Sequence, residues 1–425
     1  MRIVMMTNTF LPMVGGVSRS VAWFSEAFRQ AGHRVLVVAP EFDGGMADEA
    51  DVVRVPAIRN FNGSDFSIGL PLPGTLLPVL EDFGPQIIHA HHPFLLGDTA
   101  LRAAARFNVP AVFTHHTMYE QYTHYVPGDS EAMRQFAIRL ATEFANLCDQ
   151  VIAPSESVAA ILRSRGVASP IATVPTGIDT AAFAAGDRSR GRAELGLPEQ
   201  AAVVGHVGRL AAEKNLPFLA AALTAAARQR PDLHVLVVGE GPAAAEIGRI
   251  FAAAGSSDRL HLAGRLEGQA LADAYAAMDC FAFASLSETQ GLVLAEAMAA
   301  GTPVVALDAP GARDVVADSR NGRLLTQTDQ ASFTAATLEL LALTASARDA
   351  LRAEARETAR RFDRSVSAAA LLAVYEGLLG GGHRRAAVDR SPLAAAWRQL
   401  GEEWDMLAGK STAAADALRA AFFSR

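Results

Sequence analysis

The chain has 425 residues, more than one ordinary domain holds, so we expect two domains. Half of its residues are hydrophobic and 20% are charged, which is typical of globular proteins with a large core. A formal charge of −7 argues against nucleic acid as the main partner. Two cysteines, Cys148 and Cys280, are too few for a disulfide framework and are expected to be reduced, buried thiols.

We expect neither a signal peptide nor a membrane-spanning helix. The apolar run after Met1 is only about four residues long, polar residues follow it, and no small-residue cleavage site appears. No apolar run reaches the roughly 18 residues that a spanning helix needs. The first run therefore predicts a buried strand, and the expected location is the cytoplasm with at most peripheral membrane contact.

Short apolar runs alternate with longer helical patterns along the chain, which is typical of parallel α/β sheets. In the first half, helices are predicted over residues 18–31 and 130–147. Strands are predicted there over residues 3–7, 34–39, 51–55, 87–90, 111–114, 150–153 and 171–175.

The composition shifts at residues 180–200, which are rich in Ala, Gly, Asp and Arg and show no strand pattern. A second series of strands is predicted over residues 202–207, 233–238, 260–263, 280–284, 303–306 and 322–325. The prediction is an α/β protein of two Rossmann-like domains facing across a cleft. The N-terminal domain would span residues 1–180, the C-terminal domain residues 181–375, and a helical tail residues 376–425.

The predicted tail follows a glycine-rich break at residues 380–382. Helical spacing places Trp397, Leu400, Trp404 and Leu407 on one face. This face predicts packing against the protein itself, with a membrane or partner contact as the alternative.

Two glycines, Gly15 and Gly16, lie where the first strand leads into a helix. Glycine lets the backbone approach a ligand closely, and the N–H groups at the positive end of a helix favour an anion. The alternative is a turn that requires a positive φ. The spacing does not match the Gly-x-Gly-x-x-Gly pattern of dinucleotide-binding proteins.

Arg209 and Lys214 follow the first strand of the second half, at the strand end where open α/β sheets bind ligands. Their cations can neutralise a diphosphate and stabilise it as it departs. The alternative is a solvated surface loop, which we consider less consistent with the carboxylates on a later loop of the same sheet edge.

Glu288 and Glu296 lie eight residues apart around a glycine that is expected to begin a helix. Carboxylates accept paired hydrogen bonds from neighbouring sugar hydroxyls. The first helical N–H groups, at Gly291, Leu292 and Val293, suit phosphate oxygens. A capping carboxylate and a solvated helix face form the alternative interpretation.

Six of the 11 histidines fall between positions 89 and 124, after two neighbouring predicted strands. Most are expected to be structural, and a zinc site is an open alternative. We select His116 as functional because an imidazole can hydrogen-bond a sugar hydroxyl or stabilise charge during glycosyl transfer. The tyrosines after His116 would fit the wall of an acceptor site, since tyrosine has an apolar body and a polar tip. These candidate acceptor residues are Tyr119, Tyr122, His124 and Tyr125.

Taken in this order, the four groups of residues resemble family 4 glycosyltransferases, which are retaining enzymes of the GT-B fold. The resemblance covers roughly residues 1–375. It implies that the turn at Gly15 and Gly16 contacts the donor diphosphate or sugar. It also implies that Arg209 and Lys214 bind the diphosphate.

The same resemblance implies roles in holding the rest of the donor. Glu288 would hold sugar hydroxyls, Glu296 would hold the ribose, and His116 would lie beside the reacting carbon. The segment Gly264-Arg265-Leu266 looks like the one whose backbone meets the nucleobase.

The run from His115 to Pro127 is similar to bacterial diacylglycerol glucosyltransferases and their glucuronosyl relatives. This implies transfer of glucose, with glucuronate as an alternative, from a UDP-sugar to 1,2-diacylglycerol at the inner face of the cell membrane. A soluble, polyprenyl or inositol-lipid acceptor remains open. Such enzymes often carry a basic helix in the first domain, whereas residues 1–180 hold 12 Arg, no Lys and 17 acidic residues. Membrane binding would therefore depend on apolar contact.

We expect transfer without a metal or another cofactor. Arg209, Lys214 and the helix start at Gly291 would stabilise the departing diphosphate, and no Asp-x-Asp pair occurs in the sequence. In the loops of the first half, no carboxylate is evident that could act as a covalent nucleophile. The hypothesis is therefore front-face attack by the acceptor hydroxyl, with retention, after hinge closure near residue 180.

Other classes of protein share a two-domain α/β fold. A nucleotide-sugar epimerase would turn over its substrate without an acceptor, and a pyridoxal phosphorylase would need a second functional lysine in a lysine-poor chain. A non-catalytic scaffold has no need to keep both charged pairs. A dehydrogenase is disfavoured because no Gly-x-Gly-x-x-Gly follows either first strand.

Overall fold

The computed structural model describes residues 1–13, 15–42, 51–58, 68–69, 73–121 and 130–381. Its contacts divide the chain into two units. Over the described residues, the first combines Met1–Pro175 with residues 367–381, and the second is Thr176–Val366. The observed boundary lies a few residues before the expected one near residue 180. The residues after Val366 group with the first unit, unlike our placement of residues 181–375 in one domain, because Leu371 and Tyr375 pack into a core of the first sheet.

The first unit contains nine strands and five helices before its return segment, counted over the described residues. The strands are β1 (Arg2–Met6), β2 (Arg34–Pro40), β3 (Val52–Val55), β4 (Ala57–Ile58), β5 (Ile68–Gly69), β6 (Ile87–Ala90), β7 (Ala111–Thr114), β8 (Gln150–Ala153) and β9 (Ile171–Thr173). The helices are α1 (Gly16–Gln30), α2 (Pro73–Phe83), α3 (Leu96–Phe107), α4 (Glu131–Leu147) and α5 (Glu156–Ser164).

Seven of these strands form one parallel sheet in the order β3-β2-β1-β6-β7-β8-β9, while β4 and β5 form a separate antiparallel pair. The sheet has a core on each face, which explains the nearly continuous apolar runs of its strands. Val4 and Met6 belong to one core with residues of α3 and α4. Ile3 and Met5 belong to the other, with Phe28 of α1.

The second unit contains six strands and nine helices, and the described chain ends in a further helix. The strands are β10 (Ala202–Val207), β11 (Leu233–Val238), β12 (Leu260–Gly264), β13 (Cys280–Phe283), β14 (Val304–Leu307) and β15 (Gly322–Leu325). The helices are α6 (Thr180–Ala184), α7 (Arg188–Glu194), α8 (Leu216–Gln229), α9 (Ala244–Ala253), α10 (Gly268–Ala277), α11 (Leu292–Ala299), α12 (Ala312–Val315), α13 (Gln330–Leu341) and α14 (Ala345–Arg360). The final helix is α15 (Arg364–Gly380), most of which belongs to the first unit.

The second sheet is parallel, with the strand order β12-β11-β10-β13-β14-β15. The chain therefore moves outward from β10 in one direction and then returns to add β13 on its other side. Such a reversal opens a crevice at the carboxyl ends of the two central strands, where open α/β sheets bind ligands. The loop after β10 carries Arg209 and Lys214, and β13 is followed by Glu288 on a loop and Glu296 on α11.

The predicted α/β fold with two Rossmann-like sheets is confirmed. Six predicted strands, beginning at residues 87, 111, 150, 202, 233 and 322, match the observed bounds, and the other predicted strands differ by one or two residues at one or both ends. The segment 180–200 carries the short helices α6 and α7. The predicted helical face with Trp397 and Trp404 lies outside the described residues. Within the described chain, each helix is too short or too polar to cross a membrane.

Candidate active site

Lys214 and Glu288 form an ion pair that joins the loops after β10 and β13. Their side chains are only 16% and 20% exposed, so the pair is largely shielded from water. Lys214 ends a short 3-10 turn, Ala212–Lys214, and Glu288 lies just before α11. The fold therefore brings together one member of each charged pair that the sequence predicted.

Arg209 forms a second ion pair, with Glu213, on the loop after β10. The Glu213 side chain is 6% exposed, whereas that of Arg209 is 51% exposed. The hydroxyl groups of Ser285 and Ser287 donate to the Glu213 carbonyl oxygen over 3.4 and 3.2 Å, respectively. These bonds hold the basic loop against the acidic loop, so their charged groups share one region of the sheet edge.

Helix α11 begins at Leu292, as predicted, with Gly291 as its N-cap. Gly291 has a φ of 65°, and a Cβ atom there would lie 2.9 Å from the Gly311 carbonyl oxygen. A larger residue would therefore be strained in both backbone and packing. The helix starts with the N–H groups of Leu292 and Val293, which have no partner four residues earlier in the helix. This geometry suits the phosphate role predicted for the segment.

Glu296 lies on the second turn of α11, as predicted, and is 7% exposed. The Tyr275 hydroxyl, from the fully buried side chain on α10, donates to Glu296 Oε2 over 2.7 Å. One carboxylate oxygen is thus held by the protein. Sequence reasoning missed Tyr275 because its role depends on the packing of α10 beside α11.

The predicted nucleobase segment begins at Gly264, the last residue of β12, and β11 separates β12 from β10 in the sheet. Gly264 has a φ of 67°, and its carbonyl oxygen accepts from the Gly239 N–H over 2.7 Å. Arg265 pairs with Glu267 over 2.6 Å, and Leu266 packs on the core. The segment lies at the predicted sheet edge, two strands from the ion pair of Lys214, and its role stays a prediction.

Three further residues near the charged pairs were not predicted. Asn215, with a φ of 53°, donates to the Ala284 carbonyl oxygen over 3.3 Å and links the same two loops. The Gln290 side chain accepts from the Thr176 N–H over 2.7 Å and donates to the Thr176 hydroxyl over 2.9 Å. Such amide contacts could not be recognised from one sequence, since Asn and Gln are common in loops.

His206 lies near the end of β10, just before the loop that carries Arg209 and Lys214, and its side chain is also buried. Its Nδ1 donates to the Ala282 carbonyl oxygen over 3.1 Å, whereas its Nε2 is buried without a hydrogen-bond partner. Burial lowers the pKa of His206 to about 4. The ring is therefore neutral at pH 7 and adds no positive charge to Arg209 and Lys214.

In the first unit, Gly15 is the N-cap of α1 and Gly16 is its first residue. Gly15 has an extended φ of −158°, and Gly16 is not among the residues with positive φ. A Cβ atom at either position would meet nothing within 4 Å. The alternative that a positive φ requires these glycines is therefore wrong, and the open space beside them suits the predicted ligand contact.

His116 follows β7 and is 8% exposed. One of its ring nitrogens, Nε2, lies 2.9 Å from His91 Nδ1 on the loop after β6. Burial lowers the pKa of both imidazoles well below the ordinary value. The selected residue is thus a neutral imidazole with a histidine partner, a pairing that follows from the neighbouring positions of β6 and β7.

The other histidines of this edge differ in their bonding. His89 contacts the hydroxyl groups of Tyr375 and Thr114 at 2.6 and 2.7 Å, and His92 Nδ1 accepts from the Asn8 N–H. Both ring nitrogens of His115 are buried without a partner. The expected structural role fits His89 and His92. Among the described residues, no group of three His, Cys, Asp or Glu side chains could hold a metal.

Of the predicted acceptor residues, Tyr119 is described and the others lie outside the described residues: Tyr122, His124 and Tyr125. The Tyr119 ring packs edge-on against His115 and Phe94, with centroid distances of 5.6 and 5.7 Å. Its hydroxyl is buried without a partner. The polar end of this side chain therefore lies inside the unit, and its role toward an acceptor stays a prediction.

Comparison with known proteins assigns the family. The profile of Glycosyltransferase Family 4 matches residues 14–182, and that of Glycosyl transferases group 1 matches residues 187–361. A GDP-mannose-dependent alpha-mannosyltransferase of Mycolicibacterium smegmatis is 33% identical over 331 residues, which cover 76% of this chain and 84% of that protein. The chain belongs to the family 4 glycosyltransferases.

This family 4 glycosyltransferase is also similar to an alpha-monoglucosyldiacylglycerol synthase of Streptococcus pneumoniae. The two are 27% identical over 330 residues, covering 76% of this chain and 75% of that protein. Among solved structures, sucrose-phosphate synthase from Thermosynechococcus elongatus matches with a TM-score of 0.74 and 24% identity, over 90% of this chain and 100% of that one. The expected GT-B fold is confirmed.

Proposed function

We propose that this glycosyltransferase moves a hexose from a nucleoside diphosphate sugar to a lipid hydroxyl group at a membrane surface. UDP-glucose and 1,2-diacylglycerol form the pair that the residues from His115 to Pro127 favour. In this proposal the product keeps the anomeric configuration of the donor, and neither a metal nor another cofactor takes part. The likeness to a monoglucosyldiacylglycerol synthase supports this choice of acceptor.

The observation that carries the proposal is the cluster of charged groups in the second unit. Lys214 and Arg209 lie on the loop after β10, Glu288 and the start of α11 follow β13, and Glu296 is held by Tyr275. Two cations and a helix N-terminus can stabilise the charge of a departing diphosphate. The two carboxylates supply acceptors for hydroxyl groups of the sugar and the ribose.

The second candidate is mannosyl transfer from GDP-mannose. It is favoured by the 33% identity to an enzyme whose name specifies that donor. The diphosphate and the sugar hydroxyls would be bound by the same residues, because these groups are common to both donors. The two candidates therefore differ in the nucleobase and in one sugar hydroxyl configuration.

A donor and acceptor screen tests the proposal. The protein is incubated with UDP-glucose, UDP-glucuronate, UDP-galactose or GDP-mannose, each with and without diacylglycerol vesicles and with EDTA present. Mass spectrometry identifies the lipid product, and NMR gives its anomeric configuration. A hexosyl-lipid formed from UDP-glucose is the expected result. Conversion of the donor to an epimeric nucleotide sugar without any acceptor, with no hexosyl-lipid formed, would contradict it and favour an epimerase.

Loss of the ion pair between the two loops should abolish most of the transfer. Lys214→Ala and Glu288→Ala are each expected to lower kcat/KM by about 100-fold, since each removes a group that contacts the donor. The matched control is the exposed ion pair of Arg360 and Glu357 on α14, where the same substitutions should leave the rate unchanged. Wild-type rates in both Lys214→Ala and Glu288→Ala would contradict the assignment of the site.

A further inference from the structure

His91 and His116 share one hydrogen bond in the first unit, on the loops after β6 and β7. The two ring nitrogens lie 2.9 Å apart, and the rings are nearly parallel, with centroids 5.2 Å apart. The side chains are buried, at 1% and 8% exposure. Burial keeps both rings neutral, so each carries a single N–H group.

The bonding of His91 restricts where its hydrogen atom lies. In one arrangement His91 Nδ1 donates to His116 Nε2, and in the other His116 Nε2 donates to His91 Nδ1. His91 Nε2 is buried without a partner. The second arrangement would place an N–H group at this unpartnered position, and buried N–H groups without an acceptor are rare in proteins. The first arrangement leaves only a lone pair there.

The ring of His91 is held in place from one side by His89. These two rings stack with centroids 4.2 Å apart. His89 is itself fixed by two hydroxyl groups, since its Nδ1 lies 2.6 Å from Tyr375 Oη and its Nε2 lies 2.7 Å from Thr114 Oγ1. The orientation of His91 is therefore set before any ligand binds.

The backbone of the same loop is fixed by Asn8, which follows β1. Its N–H donates to His92 Nδ1 over 3.1 Å, its side-chain amide donates to the Phe94 carbonyl oxygen over 3.0 Å, and its Oδ1 accepts from the Leu96 N–H over 3.2 Å. Leu95 has a positive φ of 58°, a conformation that persists only where surrounding contacts enforce it. The loop that carries His91 is thus rigidly built.

We propose that His91 is a positioning residue that holds His116 in the neutral tautomer with its hydrogen atom on Nδ1. His116 then carries its N–H group on the nitrogen that does not bond His91. The opposite tautomer would offer only a lone pair. This inference rests on the proposed function and on the predicted position of His116 beside the reacting carbon, and it adds His91 to the residues on which transfer depends.

The tautomer is measured in the full chain without substrate, by NMR of protein labelled with 15N-histidine. His116→Gln identifies the signals of His116, and in the wild-type protein they should show the hydrogen atom on Nδ1. In His91→Phe the His116 signals should shift toward the Nε2 tautomer, because the donor is gone. His91→Asn should restore the wild-type signals, since the Asn amide can donate from nearly the position of His Nδ1.

The transfer activity of these variants should follow the same pattern as their His116 signals. His91→Phe should lower kcat on the order of 10- to 100-fold while KM stays within about twofold, and His91→Asn should recover most of kcat. His115→Phe is the matched control for the NMR measurement, because both ring nitrogens of His115 lack partners and its loss should leave the His116 signals unchanged. Circular dichroism confirms that each variant is folded.

Two results would overturn the inference: a wild-type His116 with its hydrogen atom on Nε2, or His116 signals that do not change in His91→Phe. Wild-type transfer by His116→Gln would instead contradict the proposed role of His116. The NMR measurement needs no substrate, so these failures are distinguishable.

Discussion

At the scale of single residues, the hydroxyl group of Tyr275 controls the position of Glu296. The bond spans 2.7 Å inside the core, and the Tyr275 ring is fixed by edge-on packing against Phe183. A buried hydroxyl that donates to a carboxylate contributes more than a bond between neutral groups. Any role of Glu296 in holding a ribose therefore depends on a residue that is fully buried in the core.

Tyr275→Phe should weaken nucleotide binding about tenfold, since a net contribution of about 1.5 kcal/mol is lost. Titration calorimetry with the free nucleoside diphosphate measures this, and a 2′,3′-dideoxy nucleotide should bind equally to both proteins. The matched control is Tyr375→Phe, which removes a buried hydroxyl that contacts His89 in the first unit and should leave nucleotide binding unchanged. Equal weakening with the dideoxy nucleotide would show that Tyr275 acts through stability alone.

At the scale of elements, helix α7 is attached to the second sheet by one buried cation. The Arg192 side chain has 0% exposure and pairs with Asp279 over 2.9 Å. It also donates to the carbonyl oxygens of Ala277, Pro198 and Glu199. Asp279 in turn accepts from the Val203 N–H at the start of β10. The segment that showed no strand pattern thus carries an anchor for the second unit.

Arg192→Met should lower the free energy of unfolding by about 3 kcal/mol, because it removes a buried donor to three carbonyl oxygens and one of the two arginines that bond Asp279. Urea denaturation followed by circular dichroism measures the change. Arg360→Met is the control, because its side chain is 72% exposed in a pair with Glu357 and should cost below about 1 kcal/mol. Similar losses in both variants would contradict the view that burial sets the contribution of Arg192.

At the scale of the whole molecule, buried histidines make stability depend on pH. Burial lowers the pKa of His89, His92 and His115 to about 3 and that of His206 to about 4, from an ordinary value of 6.5. Between these values the unfolded chain binds more protons than the folded one. Stability is therefore full above pH 6.5 and falls as the pH decreases toward 4, by about 1.4 kcal/mol per pH unit for each such group.

We expect the free energy of unfolding, measured by urea denaturation, to decrease from pH 6.5 to pH 5. In His115→Phe the decrease should be smaller by about 1.4 kcal/mol per pH unit, because one titrating group is gone. Its stability at pH 7 should be equal or higher, since two unpartnered polar atoms are replaced by an apolar ring. An unchanged dependence on pH would show that His115 is protonated in the folded protein as well.

The sequence alone determined the order of strands and helices, because apolar runs and turn residues are local properties that a parallel sheet requires. It also placed Lys214, Glu288 and Glu296 at strand and helix ends, where their chemical types indicated a phosphate and hydroxyl site. The tertiary structure alone decided that Tyr275 holds Glu296, that His91 pairs with His116, and that Tyr375 returns to the first unit. These contacts join residues 21, 25 and 286 positions apart, the last between Tyr375 and His89. Local patterns do not encode such distances, because they follow from which strands and helices become neighbours when the cores are buried.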